Sequence, residues 1–242
     1  MFVRCTQCPL RKRNAFRTKS DEEILFLEQL KSDHLRLPAG ADIIHPDQSD
    51  AELYTLFSGW AFRYKELPDG RRQILNVALP GDLLGLQASL FGKALYGAIA
   101  LTDVELCVVP RRKIWSIFEK TPSFAYDMTW LAAQSEAQLD ENLLTVGRRS
   151  AAERIASLFA SLFKRAEVIG LVQGRSLDFP LTQQHVADAL GLSLVHTNKT
   201  LARLRGLGLF TLADGRLTID NPKTMARFAQ HFDKEATPRP LL

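Results

Sequence analysis

The stretch Leu181–Phe210, LTQQHVADALGLSLVHTNKTLARLRGLGLF, decides how the C-terminal third of this chain folds. Thr182 stands at an N-cap position ahead of a short apolar stripe of Val186, Ala187 and Leu190. Gly191 supplies a tight turn, and Ser193 caps a second helix whose buried positions are Thr197, Leu201 and Leu204. A short helix, a glycine turn and a longer helix make a helix-turn-helix, whose second helix can lie in a DNA major groove. The opposite face of that helix carries Val195, His196, Asn198, Lys199 and Arg203, and the helix holds no acid. These five, with the caps Thr182 and Ser193, are the candidate contacts to double-stranded DNA. Leu209–Ala213, the turn Asp214-Gly215 and Leu217–Ile219 then read as a β-hairpin wing. An ordinary αα-hairpin is the plainer alternative; the basic outer face and the wing speak against it.

Working outward, 242 residues exceed the roughly 150 of one domain, so two domains are expected. With 46% hydrophobic and 24% charged residues the chain is not a disordered one. Asp82, Asp103 and Glu105 interrupt the apolar runs, and nothing approaches the ~20 residues of a membrane span. The N-terminus lacks the apolar region of a secretory signal, so a cytoplasmic location is expected. Three cysteines in a reducing compartment do not form a disulfide framework. The net charge of +4 is unevenly spread. Residues 1–20 hold 6 basic residues and no acid, 21–147 hold 11 basic and 19 acidic, and 148–242 hold 14 basic and 8 acidic. A basic C-terminal third behind an acidic middle suggests that only the last part meets a polyanion.

Residues 1–20 read as an irregular basic arm. Ser20-Asp21-Glu22-Glu23 reads as a capping box opening a helix with Ile24, Leu27 and Leu30 on its apolar side. From Leu37 to about Pro110 short runs rich in β-formers, such as Leu53–Phe57, Trp60–Lys65 and Arg72–Ala78, alternate with glycines. With the hairpin signal Leu67-Pro68-Asp69-Gly70 they indicate an all-β roll or barrel over 21–121. Pro122 opens a helix to about Val146, with Met128, Leu131, Leu139, Leu143 and Val146 at three- and four-residue spacing. At ~36 Å it is too long for a small roll to cover, so its stripe (122–147) is the expected homodimer interface. Gly147-Arg148-Arg149-Ser150 reads as a hinge. Ser150 and Glu153 then restart a helix with Ile155, Leu158, Phe159 and Leu162 buried, opening a DNA-binding part over 148–242. Residues 235–242, EATPRPLL, read as a loose tail.

A β-roll, a long helix, a hinge and a C-terminal winged helix-turn-helix, an α+β architecture, together resemble the Crp–Fnr family of bacterial transcription regulators. PGDLLG (Pro80–Gly85) and RSAAERIA (Arg149–Ala156) carry the likeness further. The resemblance implies a homodimer on near-palindromic DNA, a cyclic-nucleotide-binding type of roll and contact with RNA polymerase. In cyclic-nucleotide-binding members a Gly-Glu and an Arg-Ser pair hold the ligand. Here Leu86 and Gln87 follow Gly85, and Gly97-Ala98 fall near the second pair, so cyclic AMP is not the expected ligand. In Crp and Fnr members a Glu occupies the position of Val195 and an Arg that of Lys199.

Cys5, Cys8 and Cys107 match three of the four cluster-ligating positions of the oxygen-sensing Fnr branch; the fourth falls at Asn14. An iron–sulfur cluster is one reading of these cysteines. A Cys5–Cys8 thiol switch, a zinc site completed by a histidine such as His34, and no redox role at all are the others, and Cys107 also reads as a buried strand residue. No nucleophile elbow, phosphate-binding loop or H-E-x-x-H motif occurs, so no enzyme is expected. His34, His45, His185, His196 and His231 are scattered. A redox or metal-binding roll that does not touch DNA is the alternative function class, and the basic helix argues against it.

Overall fold

The computed structural model describes residues 3–230 and 237–242. His231, Glu235 and Ala236 lie outside them. The chain divides into two compact units: Met1–Lys65, Val77–Ala137 and Thr237–Leu242 form one, and Glu66–Asn76 with Gln138–Ala236 the other.

In the first unit, two short 3-10 turns, Cys5–Gln7 and Pro9–Lys12, precede α1 (Asp21–Leu30). The α1 capping box is complete: Glu23 N–H donates to Ser20 Oγ at 3.2 Å, and Ser20 N–H to Glu23 Oε2 at 2.9 Å. The strands of the roll follow in chain order as β1 (Asp33–Leu37), β2 (Asp42–Ile44), β3 (Leu53–Ser58), β4 (Ala61–Glu66), β5 (Arg72–Ala78) and β6 (Leu83–Leu84), with Arg72–Asn76 of β5 counting with the second unit. Next come α2 (Leu86–Phe91), β7 (Gly97–Ala100), β8 (Val104–Val109), α3 (Ile114–Lys120) and α4 (Pro122–Arg148). The strands order as β1-β8-β3-β6 and β2-β7-β4-β5. In the 66–76 segment of the second unit, Leu67 N–H donates to Arg71 O at 2.9 Å and closes the expected hairpin. Cys5, Leu27, Leu53, Phe124 and Met128 share one buried cluster with Leu242.

Several expectations change here. The β-roll begins at Asp33, ahead of Leu37, and contains the short helix α2. The arm is folded rather than irregular: Cys5, Leu10, Ala15 and Phe16 are buried. The tail is not loose over 237–242, because Leu241 and Leu242 are each only 3% exposed. The hinge is shorter than expected. Gly147 stays helical, since one glycine costs only about 1 kcal/mol in a helix of this length, and α4 ends at Arg148.

The second unit opens with α5 (Ala151–Val168), capped by Ser150 and Glu153 as expected. Then come β9 (Ser176–Asp178), α6 (Gln183–Leu190), α7 (Leu194–Gly206), β10 (Thr211–Ala213), β11 (Arg216–Thr218) and α8 (Pro222–Phe228). The wing is a sheet in the order β10-β11-β9. Asp214 and Gly215 both have positive φ, the hairpin geometry in which Asp-Gly is favoured. Arg149, 7% exposed, ties α4 to the end of α8: it pairs with Glu141 at 2.7 Å and donates to Ala229 O and Gln230 O, each at 2.9 Å. Phe159 on α5 is fully buried and meets Phe179 at 5.0 Å and Phe210 at 4.8 Å, edge to face. Phe159→Ala should therefore cost about 3–5 kcal/mol of stability. A lowered urea midpoint with unchanged slope is the expected result.

Candidate nucleic-acid interface

Thr182 caps α6: its Oγ1 accepts from His185 N–H at 3.2 Å, while Thr182 N–H donates to His185 Nδ1 at 3.2 Å. Gly191, at φ +62°, ends the helix in the left-handed region that glycine tolerates. Ser193 Oγ accepts from His196 N–H at 3.3 Å and starts α7. Both cap hydroxyls are engaged as acceptors, which leaves each O–H free to donate outward.

On α7, Thr197, Thr200, Leu201 and Leu204 are buried, while Val195, His196, Lys199 and Arg203 are exposed. Val195 is 65% exposed. Asn198 is half-buried at the edge of this face, and its Oδ1 is shielded without a hydrogen-bond partner. Arg205, passed over in the sequence reading, is also exposed on α7; its cationic chemistry was the available signal. From β5, Arg72 grips α6 by donating to Asp188 Oδ2 from Nε at 3.0 Å and from Nη2 at 2.8 Å. Gln73 Nε2 adds a bond to Ala189 O at 3.0 Å.

In the roll, Ala98 on β7 lies opposite Arg63 on β4. Arg63 is 7% exposed and stacks on Tyr96 at 4.0 Å, and Tyr96 Oη accepts from Gly85 N–H at 2.8 Å. The roll interior thus holds a guanidinium after all, supplied by β4. Only strand pairing discloses it.

A family model described as the cyclic nucleotide-binding domain matches residues 34–121, and one described as the Crp-like helix-turn-helix domain matches 153–228. The transcriptional activatory protein AadR of Rhodopseudomonas palustris is 30% identical over 78% of this chain and 78% of its own length. The nitrogen fixation regulation protein FixK of Bradyrhizobium diazoefficiens is 27% identical over 93% of each. The chain belongs to the Crp–Fnr family. The solved structure of FixK2 from Bradyrhizobium japonicum has the same fold, with a TM-score of 0.73 at 24% identity over 81% of this chain and 96% of that one. As a Crp–Fnr member the protein is a transcription regulator with a DNA-binding helix-turn-helix, not an enzyme, near the Fnr and FixK branch. Among the described residues no helix is long and apolar enough to cross a membrane.

The three cysteines of this Crp–Fnr protein all lie in the first unit, where Cys8 and Cys107 line one small cavity. Cys5 and Cys107 are buried and Cys8 half-buried. In the sheet, Cys107 lies between His34 on β1 and Thr55 on β3. Burial pushes the Cys107 thiol above its usual range; Lys31 opposes this, and Cys5 and Cys8 add to it. The residues do not fit a four-ligand iron–sulfur cluster as they stand. Asn14 is exposed, and among the described residues no group of three or more His, Cys, Asp or Glu is placed to hold a metal.

Of the α4 stripe, Met128 and Leu131 are already buried within this chain, at 2% and 6% exposure. Leu139 and Val146 are half-buried and Leu143 is 69% exposed, so the stripe is open in the second half of the helix, while Tyr126 at 64% is the exposed large side chain of the first.

The His185 pKa is lowered, first by burial and then by the Arg72 charge, with Asp188 opposing. Its Nδ1 accepts a hydrogen bond, which requires the neutral ring. The unfolded chain takes up the proton first as pH falls through about 6.5, so stability is intact above that pH and declines below it. His185→Gln should flatten the decline between pH 7.5 and 5.5 in urea titrations. An equally steep decline in the variant would assign it to another group.

Proposed function

We propose that the protein acts as a homodimer that binds near-palindromic DNA in the cytoplasm and contacts RNA polymerase there. Residues 1–20 are its arm, 21–121 its sensing roll, 122–147 its dimerisation helix and 148–242 its DNA-reading part, less the segment 237–242, which packs in the first unit. The observation that carries this reading is the exposed, acid-free face of α7 bearing Val195, His196, Lys199 and Arg203. Lys199 and Arg203 donate to phosphates or guanine, and Asn198, whose Oδ1 is shielded, offers its amide N–H groups to an acceptor such as adenine N7. Thr182 and Ser193 donate their free O–H groups to the backbone. Val195 has no carboxylate to accept from cytosine N4, and its methyls suit a thymine methyl instead. The half-site therefore differs from that of relatives with Glu at this position.

The signal is read as thiol chemistry at Cys5, Cys8 and Cys107 rather than a cluster, because Asn14 offers a neutral, exposed amide where a thiolate is needed. Cyclic AMP is not its ligand: Arg63 offers a cation, but Leu86 and Gln87 bring no carboxylate for the ribose.

Lys199→Ala and Arg203→Ala should each weaken operator binding by about 1–3 kcal/mol, and a lost phosphate contact should reduce the salt slope by about 1. Filter binding across salt concentrations measures both. Unchanged affinity and slope in both variants would place the reading surface elsewhere.

Leu143→Asp puts a charge into the proposed seam and should convert the dimer to monomer in sedimentation runs at micromolar concentration. Operator affinity should fall with it, since a single half-site supplies only part of the binding energy. A variant that stays dimeric would exclude the second half of α4 as the interface.

A further inference from the structure

The terminal segment is held on the first unit along its whole described length. Arg239 N–H donates to Ala15 O and Arg17 N–H donates to Arg239 O, each at 2.9 Å, a short parallel bridge to the arm. Arg17 Nε donates to Pro238 O at 3.1 Å. The Arg239 guanidinium pairs with Asp82, donates to Pro80 O at 2.9 Å and lies 5.1 Å over the Phe16 ring. Gly81, at φ +91°, makes room for this stack: a Cβ there would come within 2.5 Å of Phe16 and 3.0 Å of Arg239. Thr55 Oγ1 donates to Leu242 O at 2.6 Å, and Thr55 is the register partner of Cys107.

Leu241 and Leu242 close a small cavity that Cys8, Cys107 and Lys31 also line. Its volume is about 10 Å³, at the lower limit for a single water molecule. No substituent on the buried Cys107 sulfur fits in this cavity while both leucines stay in place, whereas Cys8 keeps an exposed side.

We propose that Arg239–Leu242 is a strap seated in a groove of the roll, and that strap and sulfur substituent exclude one another at Cys107. The groove is built for this occupant. Ala15–Arg17 gives it backbone partners, Asp82 and Pro80 O take the guanidinium, Phe16 carries the stack, and Thr55 takes the far end. Displacement of the strap frees Arg239–Leu242 from the arm and the roll, so the state of the thiol and the seating of this segment are linked without a cofactor. Competition of this kind holds whatever the thiols sense.

N-ethylmaleimide is a suitable probe. It adds to a thiol by forming one S–C bond while the thiol proton moves to the neighbouring ring carbon, and nothing leaves. The reduced full-length protein, Arg239→Ala, and a chain lacking 237–242 are labelled, and the rate at each cysteine is read by peptide mass spectrometry. Labelling of Cys107 should rise about tenfold or more in both variants, as expected when a local closure is removed, while the half-exposed Cys8 labels at a similar rate throughout. In the converse arm, labelled full-length protein should lose deuterium-exchange protection at the Arg239 amide. Wild-type labelling rates in the shortened chain would overturn the proposal. So would a labelled protein whose Arg239 amide keeps its protection, and that arm decides alone if circular dichroism shows the shortened chain unfolded.

Discussion

The rotation of α7 about its own axis is the constraint on which the recognition chemistry depends. Thr197, Thr200, Leu201 and Leu204 lie within an arc of the helix and are all buried. Each leucine contributes about 1.5–3 kcal/mol when removed from water. Turning α7 by one residue, about 100°, would expose the leucines and drive Lys199 or Arg203 toward the core, where an unpaired charge is costly. What DNA can meet is therefore whatever the core leaves outside: Val195, His196, Lys199 and Arg203. The Ser193 cap sets where α7 begins, and the Phe159–Phe210 contact anchors the chain just beyond its end.

The parts that were legible in the sequence are those whose signals are local. Ser20–Glu23 and Ser150–Glu153 announce their helices because both partners of a capping box lie within four residues. The helix-turn-helix is legible for the same reason, with the twist that His185 stands where Glu or Gln is usual and closes the Thr182 box through Nδ1. Elements too short to show a period were missed. α2 has six residues and β9 three, and neither completes a pattern that separates helix from strand. The α4 stripe shows a different shortfall. Its residues share one helical stripe, yet Met128 and Leu131 pack within the chain while Leu143 does not, and periodicity carries no information on which neighbour covers which turn.

The tail was misread because its partners are distant in sequence. Pro238 and Pro240 flank Arg239 in a run that looks unstructured, and nothing within ten residues asks for an arginine there. The demand comes from Asp82 and Pro80, about 157 residues earlier. Arg63 was missed for the same reason: its position opposite Ala98 is a property of strand register, not of spacing.

Asp82 shows how one side chain can serve as both family signature and private anchor. In Pro80-Gly81-Asp82, its Oδ2 accepts from Leu79 N–H at 2.7 Å and so shapes the turn that the Crp–Fnr resemblance rests on. Its other oxygen, Oδ1, faces Arg239. A carboxylate has lone pairs enough for both, so docking the segment asks for no change in the turn. The same economy holds at Thr182 and Ser193, whose oxygens satisfy helix N–H groups while their protons stay available to a phosphate. Residues that local geometry already holds in one rotamer cost little further entropy when a distant partner arrives. Such residues are where a new contact can be added to an existing fold without disturbing it.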